Sequence, residues 1–134
     1  MHRVVYFSNA SLELTFPAIE AIVEKAAERN RPLQISGALH YNGLNFLQIL
    51  EGPQQALMPL YLQIRKDPRH SGVVKLVHER ILTRSYPDWG MRLFCGAPKC
   101  VGAPTGMSPG DTDLPAMINA FFGLGHTMAF AELR

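Results

Sequence analysis

A chain of 134 residues is long enough for one sheet with two or three helices and too short for a second globular unit, so an output function has to reside in a partner. With 47% apolar and 18% charged residues it is globular rather than disordered, and a net charge of +2 without a basic block gives no support for nucleic-acid binding. No run of about 18 apolar residues is present to span a membrane.

The N-terminus reads as a strand rather than a secretory signal, which places the protein in the cytoplasm. The cysteines, Cys95 and Cys100, have no second pair to complete a zinc site and are expected as reduced thiols. No metal site is expected, because the five histidines lack the i, i+4 pairing of a helical ligand set. GxGxxG, GxxxxGK[ST] and HExxH are all absent, so these enzyme signatures are missing.

In chain order, Arg3 to Ser8 forms a first strand, with Val4, Tyr6 and Ser8 on one face and Val5 and Phe7 on the other. Pro17 opens a helix whose apolar positions Ile19, Ile22, Val23, Ala26 and Ala27 follow helical spacing, and the helix ends near Asn30 because Pro32 disfavours helical geometry before it. Asn42-Gly43 suits a two-residue type I′ hairpin turn between strands. The second strand of that hairpin, Leu44 to Leu50, is apolar on both faces and belongs in the middle of a sheet. Gln48 is its odd residue, a buried amide that needs partners from the protein or from a ligand.

A second helix after Gly52-Pro53 carries Leu57, Leu60, Tyr61 and Ile64 and stops at Lys66-Asp67-Pro68. Val73 to Leu82 is a strand with polar interruptions, as expected near an edge, and Trp89 to Cys95 is a short fifth strand with Trp89 and Met91 on one face. The order βαββαβ with right-handed crossovers predicts an α+β, ferredoxin-like sandwich, with an added fifth strand and a C-terminal helical extension. Both helices then cover one face of the sheet, and the first and third strands are central, which makes Tyr6 and Gln48 neighbours. Val5, Phe7, Leu47 and Ile49 project from the other face and need a cover. The predicted cover is a helix after Asp113 with the stripe Leu114, Met117, Ile118, Phe121 and Phe122, from the same chain or a swapped one. The organisation is thus a domain over residues 1–96 and a loop with helical extension over 97–134.

Tyr6 and Gln48 on adjacent strands, facing the same helices with Asn30 nearby, are as consistent with a satisfied core as with a polar ligand between the helices. The segments VVYFS, ERNRPLQISGAL, FLQILEG, KDPRHSGV and PDWGMRL extend over most of Arg3 to Cys95. In order and spacing they resemble the BLUF domain, the family of sensors of blue light using flavin. Ser36 stands where that family commonly has threonine, which keeps the hydroxyl.

The resemblance implies a non-covalent flavin, usually FAD, lying between the helices. It implies that Gln48 bridges Tyr6 and the flavin ring edge, that Asn30 holds the ring carbonyl side, and that Asp67, Arg69 and His70 lie near the ring and its side chain. Arg29, beside Asn30, joins this set. Tyr6 would give an electron and a proton to the excited flavin through Gln48, leaving the Gln48 amide rotated or tautomerised. Trp89 and Met91 match the segment from which one side chain or the other approaches Gln48 and relays the signal. The expected function is a blue-light photoreceptor, not an enzyme, acting on a separate effector and forming a homodimer or higher homo-oligomer. The alternative is a flavin-dependent oxidoreductase.

Overall fold

The computed structural model describes residues 1–95 and Ile118. Its elements are β1 (His2–Ala10), α1 (Phe16–Asn30), a 3₁₀ turn (Arg31–Leu33), β2 (Ser36–Tyr41), β3 (Asn45–Gly52), α2 (Gln54–Arg65), β4 (His70–Arg80) and β5 (Arg92–Cys95). The sheet order is β4-β1-β3-β2-β5, the ferredoxin-like arrangement with a fifth strand added beside β2. β5 runs parallel to β2, and the other pairs are antiparallel.

Local chemistry explains where the elements begin. The Thr15 hydroxyl accepts the Ala18 amide at 3.3 Å and caps α1, with Pro17 in its first turn. The hairpin turn departs from the expected type I′ form. Of its residues only Gly43 has positive φ (101°), and the strands end at Tyr41 and resume at Asn45. Asn42 keeps ordinary backbone geometry because its Oδ1 receives the amides of Leu44 (3.0 Å) and Asn45 (2.7 Å), which moves the glycine to the first central position of the loop.

Alternation along the strands makes two cores. On one face, Val4, Tyr6, Leu39, Phe46 and Leu50 pack under Ile19, Val23 and Ala26 of α1 and Leu57, Leu60 and Tyr61 of α2. On the other, Val5, Ala38, Leu47 and Ile49 pack with Tyr86, Phe94 and Ile118. Ile118 is helical and fully buried there, and the other residues of the predicted C-terminal stripe lie outside the described residues. β4 is one of the two edge strands and is largely exposed.

Two expectations need correction. Trp89 and Met91 precede β5 rather than lying on it, so they do not share a face: Met91 joins the helix-side core and Trp89 packs against the far-side one. Cys95 is disulfide-bonded, not a reduced thiol, and Cys100 lies outside the described residues.

Candidate functional site

The antiparallel registers set Gln48 opposite Tyr6 on one side and Leu39 on the other, at the centre of the helix-covered face. Tyr6 and Gln48 are 3% and 5% exposed, so each polar end has to be satisfied locally. The Tyr6 hydroxyl donates to Gln48 Oε1. Gln48 Nε2 lies 3.5 Å from Met91 Sδ, and a thioether only accepts, which fixes the amide with its NH₂ end toward Met91 and its oxygen toward the phenol. Burial pushes the Tyr6 phenol far above its ordinary pKa, so it remains a neutral donor.

A cleft opens above this pair, between α1 and α2. Its walls are Ile22 and Ala26 of α1, Leu39 and Phe46 of the sheet and Ile64 of α2, and its rim carries Lys25, Arg29, Asp67, Arg69 and His70. Asp67 and Arg69 form an ion pair, with Arg69 Nε 2.9 Å from Asp67 Oδ1. The hydrogen bond from Arg69 holds the Asp67 carboxyl below its usual range, and the same bond raises the guanidinium. Desolvation lowers Arg29.

His70 is fixed at both nitrogens. Nε2 donates to the Ile64 carbonyl at 2.6 Å, which leaves Nδ1 to accept the Ser8 hydroxyl at 2.8 Å. Ser8 is available because the β1–β4 register shifts between Phe7 and Asn9 and leaves it unpaired on that side. The His70 ring stands edge-on to Tyr6, with centroids 5.8 Å apart, and Tyr61 lies 6.0 Å from Tyr6 on the α2 side.

Asn30 is fully buried but does not line this cleft. Its Nδ2 donates to the Gly90 carbonyl at 2.8 Å, and its Oδ1 accepts Arg29 Nε at 3.2 Å. Gly90 comes this close because it has no side chain: a Cβ there would lie 2.6 Å from the Ala27 carbonyl of α1. Trp89 points away from the cleft, with Arg92 over its ring at 4.2 Å and Tyr86 and Phe94 beside it. Tyr6, Gln48 and Met91 therefore meet, with Arg29, Asp67, Arg69 and His70 around the cleft, while Asn30 is joined to them through Gly90. Sequence reasoning missed Ser8, Lys25 and Gly90, and also Arg3 and Glu51, two charged residues on otherwise apolar central strands. The last two were open to the argument that singled out Gln48.

The residues present suit a flavin. The walls are apolar, as a flat ring requires, the floor is a phenol–amide pair, and the rim is basic enough for a phosphate. One hydrogen of the Gln48 amide and one of the Asn30 amide are not used by any acceptor among the described residues. Among those residues no His/Cys/Asp/Glu cluster suits a metal ion, and no helix is long and apolar enough to cross a membrane.

A ferredoxin-like sheet with a hydrogen-bonding pair at the floor of an interhelical cleft defines a small α+β domain with a site suited to a ligand. The sequence profile of BLUF, described as sensors of blue-light using FAD, matches residues 1–92, and the chain belongs to this family. It is similar to the photoactivated adenylate cyclase subunit beta of Euglena longa, at 44% identity over 88 residues, which are 64% of this chain and 10% of that protein. Among solved structures it resembles Klebsiella pneumoniae BlrP1 with FMN and cyclic diGMP (36% identity, TM-score 0.67, 71% of this chain and 26% of that one). It also resembles BlrB, a BLUF protein in its dark state (35% identity, TM-score 0.63, 70% of this chain and 71% of that one). The match to the Euglena protein thus spans about a tenth of its length. BLUF domains are flavin-binding blue-light sensors that signal to partner proteins or fused domains. Nothing in the comparisons supports the flavin oxidoreductase alternative.

Proposed function

We propose that this chain is a light sensor whose flavin is FAD, that it is not itself an enzyme, and that it passes its signal to a separate effector protein. The observation that carries the reading is the buried hydrogen bond from Tyr6 to Gln48, made by an amide whose other end rests on the weak acceptor Met91. Such an amide is held on that side by only one weak bond, so a rearrangement toward a bound ligand costs little there, as a switch requires.

FAD held between α1 and α2 would supply a blue-absorbing ring able to take up an electron on excitation. Tyr6 would be the donor: its phenol already points its proton at Gln48 Oε1, so the proton would pass to Gln48 as the electron passes to the ring, and both would return to Tyr6 on recombination while Gln48 stays rearranged. Gln48 would then exchange the ends of its amide, which takes its NH₂ group away from Met91, or adopt the imidic form, which leaves a single N–H on the nitrogen that faced Met91. Met91 is released from Gln48 and carries the change into the segment before β5, with Trp89 reporting it on the far side of the sheet. Asn30 acts on the ring carbonyl side and through Gly90. Arg29 and Lys25 provide positive charge for the phosphates, and Asp67, Arg69 and His70 border the ring and its side chain.

Residues 1–96 form the flavin-binding unit and 97–134 the extension. The protein works in the cytoplasm, where nucleotide-dependent effectors such as a cyclase find their substrates. Exposed Val74, Leu76 and Leu82 on and just beyond the β4 edge give it apolar surface for a homodimer.

Purified protein tests the reading. A yellow protein that releases FAD on denaturation, shows a reversible red shift under blue light and turns over no substrate is expected. FMN as the sole released flavin would overturn the cofactor assignment, and steady-state turnover without an added effector would overturn the sensor assignment.

A further inference from the structure

The segment that supplies Met91 and Gly90 to the photoactive face is anchored on the opposite face, at Glu51. Glu51 is fully buried and Arg3, its cross-strand partner, is 2% exposed. The Glu51 carboxylate receives Arg3 Nε at 2.9 Å and Nη2 at 2.7 Å. It also receives the backbone amides of Ser85 at 2.9 Å and Tyr86 at 2.9 Å. Arg3 in turn donates to the Ser85 hydroxyl at 2.8 Å and pairs with Glu79 at 2.8 Å. A buried carboxylate with this many donors has no competing arrangement, because any lost bond would leave a charge or an amide unsatisfied.

From Tyr86 the chain reaches Met91 in a few residues, one of them Pro87, whose φ is fixed. Along that length it gives the Trp89 carbonyl to the Gly37 amide at 3.1 Å, the Gly90 carbonyl to Asn30 at 2.8 Å and the Met91 sulfur to Gln48 at 3.5 Å. Each residue of extended chain spans at most about 3.6 Å, so a tether this short has little slack. Where Ser85 and Tyr86 are held decides where Met91 can sit.

We propose that Glu51, with Arg3, is a positioning residue of the photocycle: it is the fixed end of the segment that Gln48 moves, and it sets how fast the light-adapted arrangement relaxes. This rests on the photoreceptor reading above. Glu51 touches neither the cleft nor the Tyr6–Gln48 pair, and acts only through the segment it anchors.

The test is a double-mutant cycle on dark recovery, followed by flavin absorption after a blue pulse, with Glu51→Gln and Met91→Leu alone and together. Glu51→Gln keeps the volume and an acceptor oxygen while removing the ion pair. The expected result is bound flavin, a red shift of wild-type size, and a recovery rate changed at least about threefold, an effect that largely disappears when Met91 is already Leu. Val5→Ala, which loosens the same face without touching the anchor, is expected to recover at the wild-type rate. Multiplicative effects of the two substitutions, an unchanged rate in Glu51→Gln, or an equal change in Val5→Ala would each overturn the inference. Should Glu51→Gln fail to fold, Arg3→Lys, which keeps the charge and loses the fork, takes its place with the same outcomes. A wild-type protein without any reversible shift would instead fail the photoreceptor reading and the inference with it.

Discussion

On the helix-covered face of the sheet, Gln48 leaves an amide hydrogen unclaimed among the described residues and leans on a sulfur. On the far face, three residues along β3, Glu51 accepts from a guanidinium and two backbone amides at ordinary distances. Both side chains are buried polar groups on one apolar strand, and they differ in how completely they are satisfied. In the proposed photocycle the saturated group, with one arrangement, serves as frame, and the under-satisfied one, with a second arrangement within reach, serves as switch. One strand therefore carries both, and the alternation of side chains keeps them on opposite faces.

Replacing the switch is the strongest way to break this contrast. Gln48→Leu is near-isosteric and removes the amide that can exchange its ends, so the light-induced shift should disappear while flavin stays bound; difference spectroscopy on the folded variant checks it. Replacing the frame should act on stability instead. Glu51→Ala strands Arg3 and two amides, a loss of about 3 to 5 kcal/mol in denaturant unfolding. A loss below about 1 kcal/mol would mean that water satisfies them.

The smallest of these effects concerns His40, which sharpens the contrast because it is a buried titratable group on the far face. It is fully buried, stacked on Phe94 with centroids 5.0 Å apart, and burial lowers its pKa from 6.5 to about 4. The unfolded chain binds a proton at His40 between those two values and the folded protein does not, so stability falls as pH drops from about 6.5 to about 4 and this contribution then levels off. The loss over that window is on the order of 3 kcal/mol. His40→Phe should flatten that part of the stability–pH curve, as measured by urea unfolding at several pH values.

Much of this was legible in the sequence because two periodicities suffice for it. Period two on the first and third strands, with the βαββαβ order, places Tyr6 beside Gln48 before any coordinates are known, and the apolar strip Val5, Leu47, Ile49 announces a second core. What escaped depends on contacts that no period encodes. The hairpin turn moved by one residue because the Asn42 side chain caps two amides. Trp89 and Met91 went to opposite faces because an irregular segment, held by Glu51 and Asn30, replaces the strand that alternation assumed. Arg3 and Glu51 face each other only once the register is fixed. Asn30 was legible as buried near the site, but its bond to Gly90 depends on the close approach of a glycine to α1.

The central claim is that Tyr6, hydrogen-bonded to Gln48, starts the photocycle. The most direct measurement is the light-minus-dark absorption spectrum of Tyr6→Phe at matched flavin content, with flavin fluorescence recorded in parallel. Loss of the phenol should abolish the red shift and raise the fluorescence, since the adjacent electron donor is gone while the ring that packs beside His70 and Tyr61 is kept. A Tyr6→Phe protein with a normal red-shifted photoproduct would contradict the account.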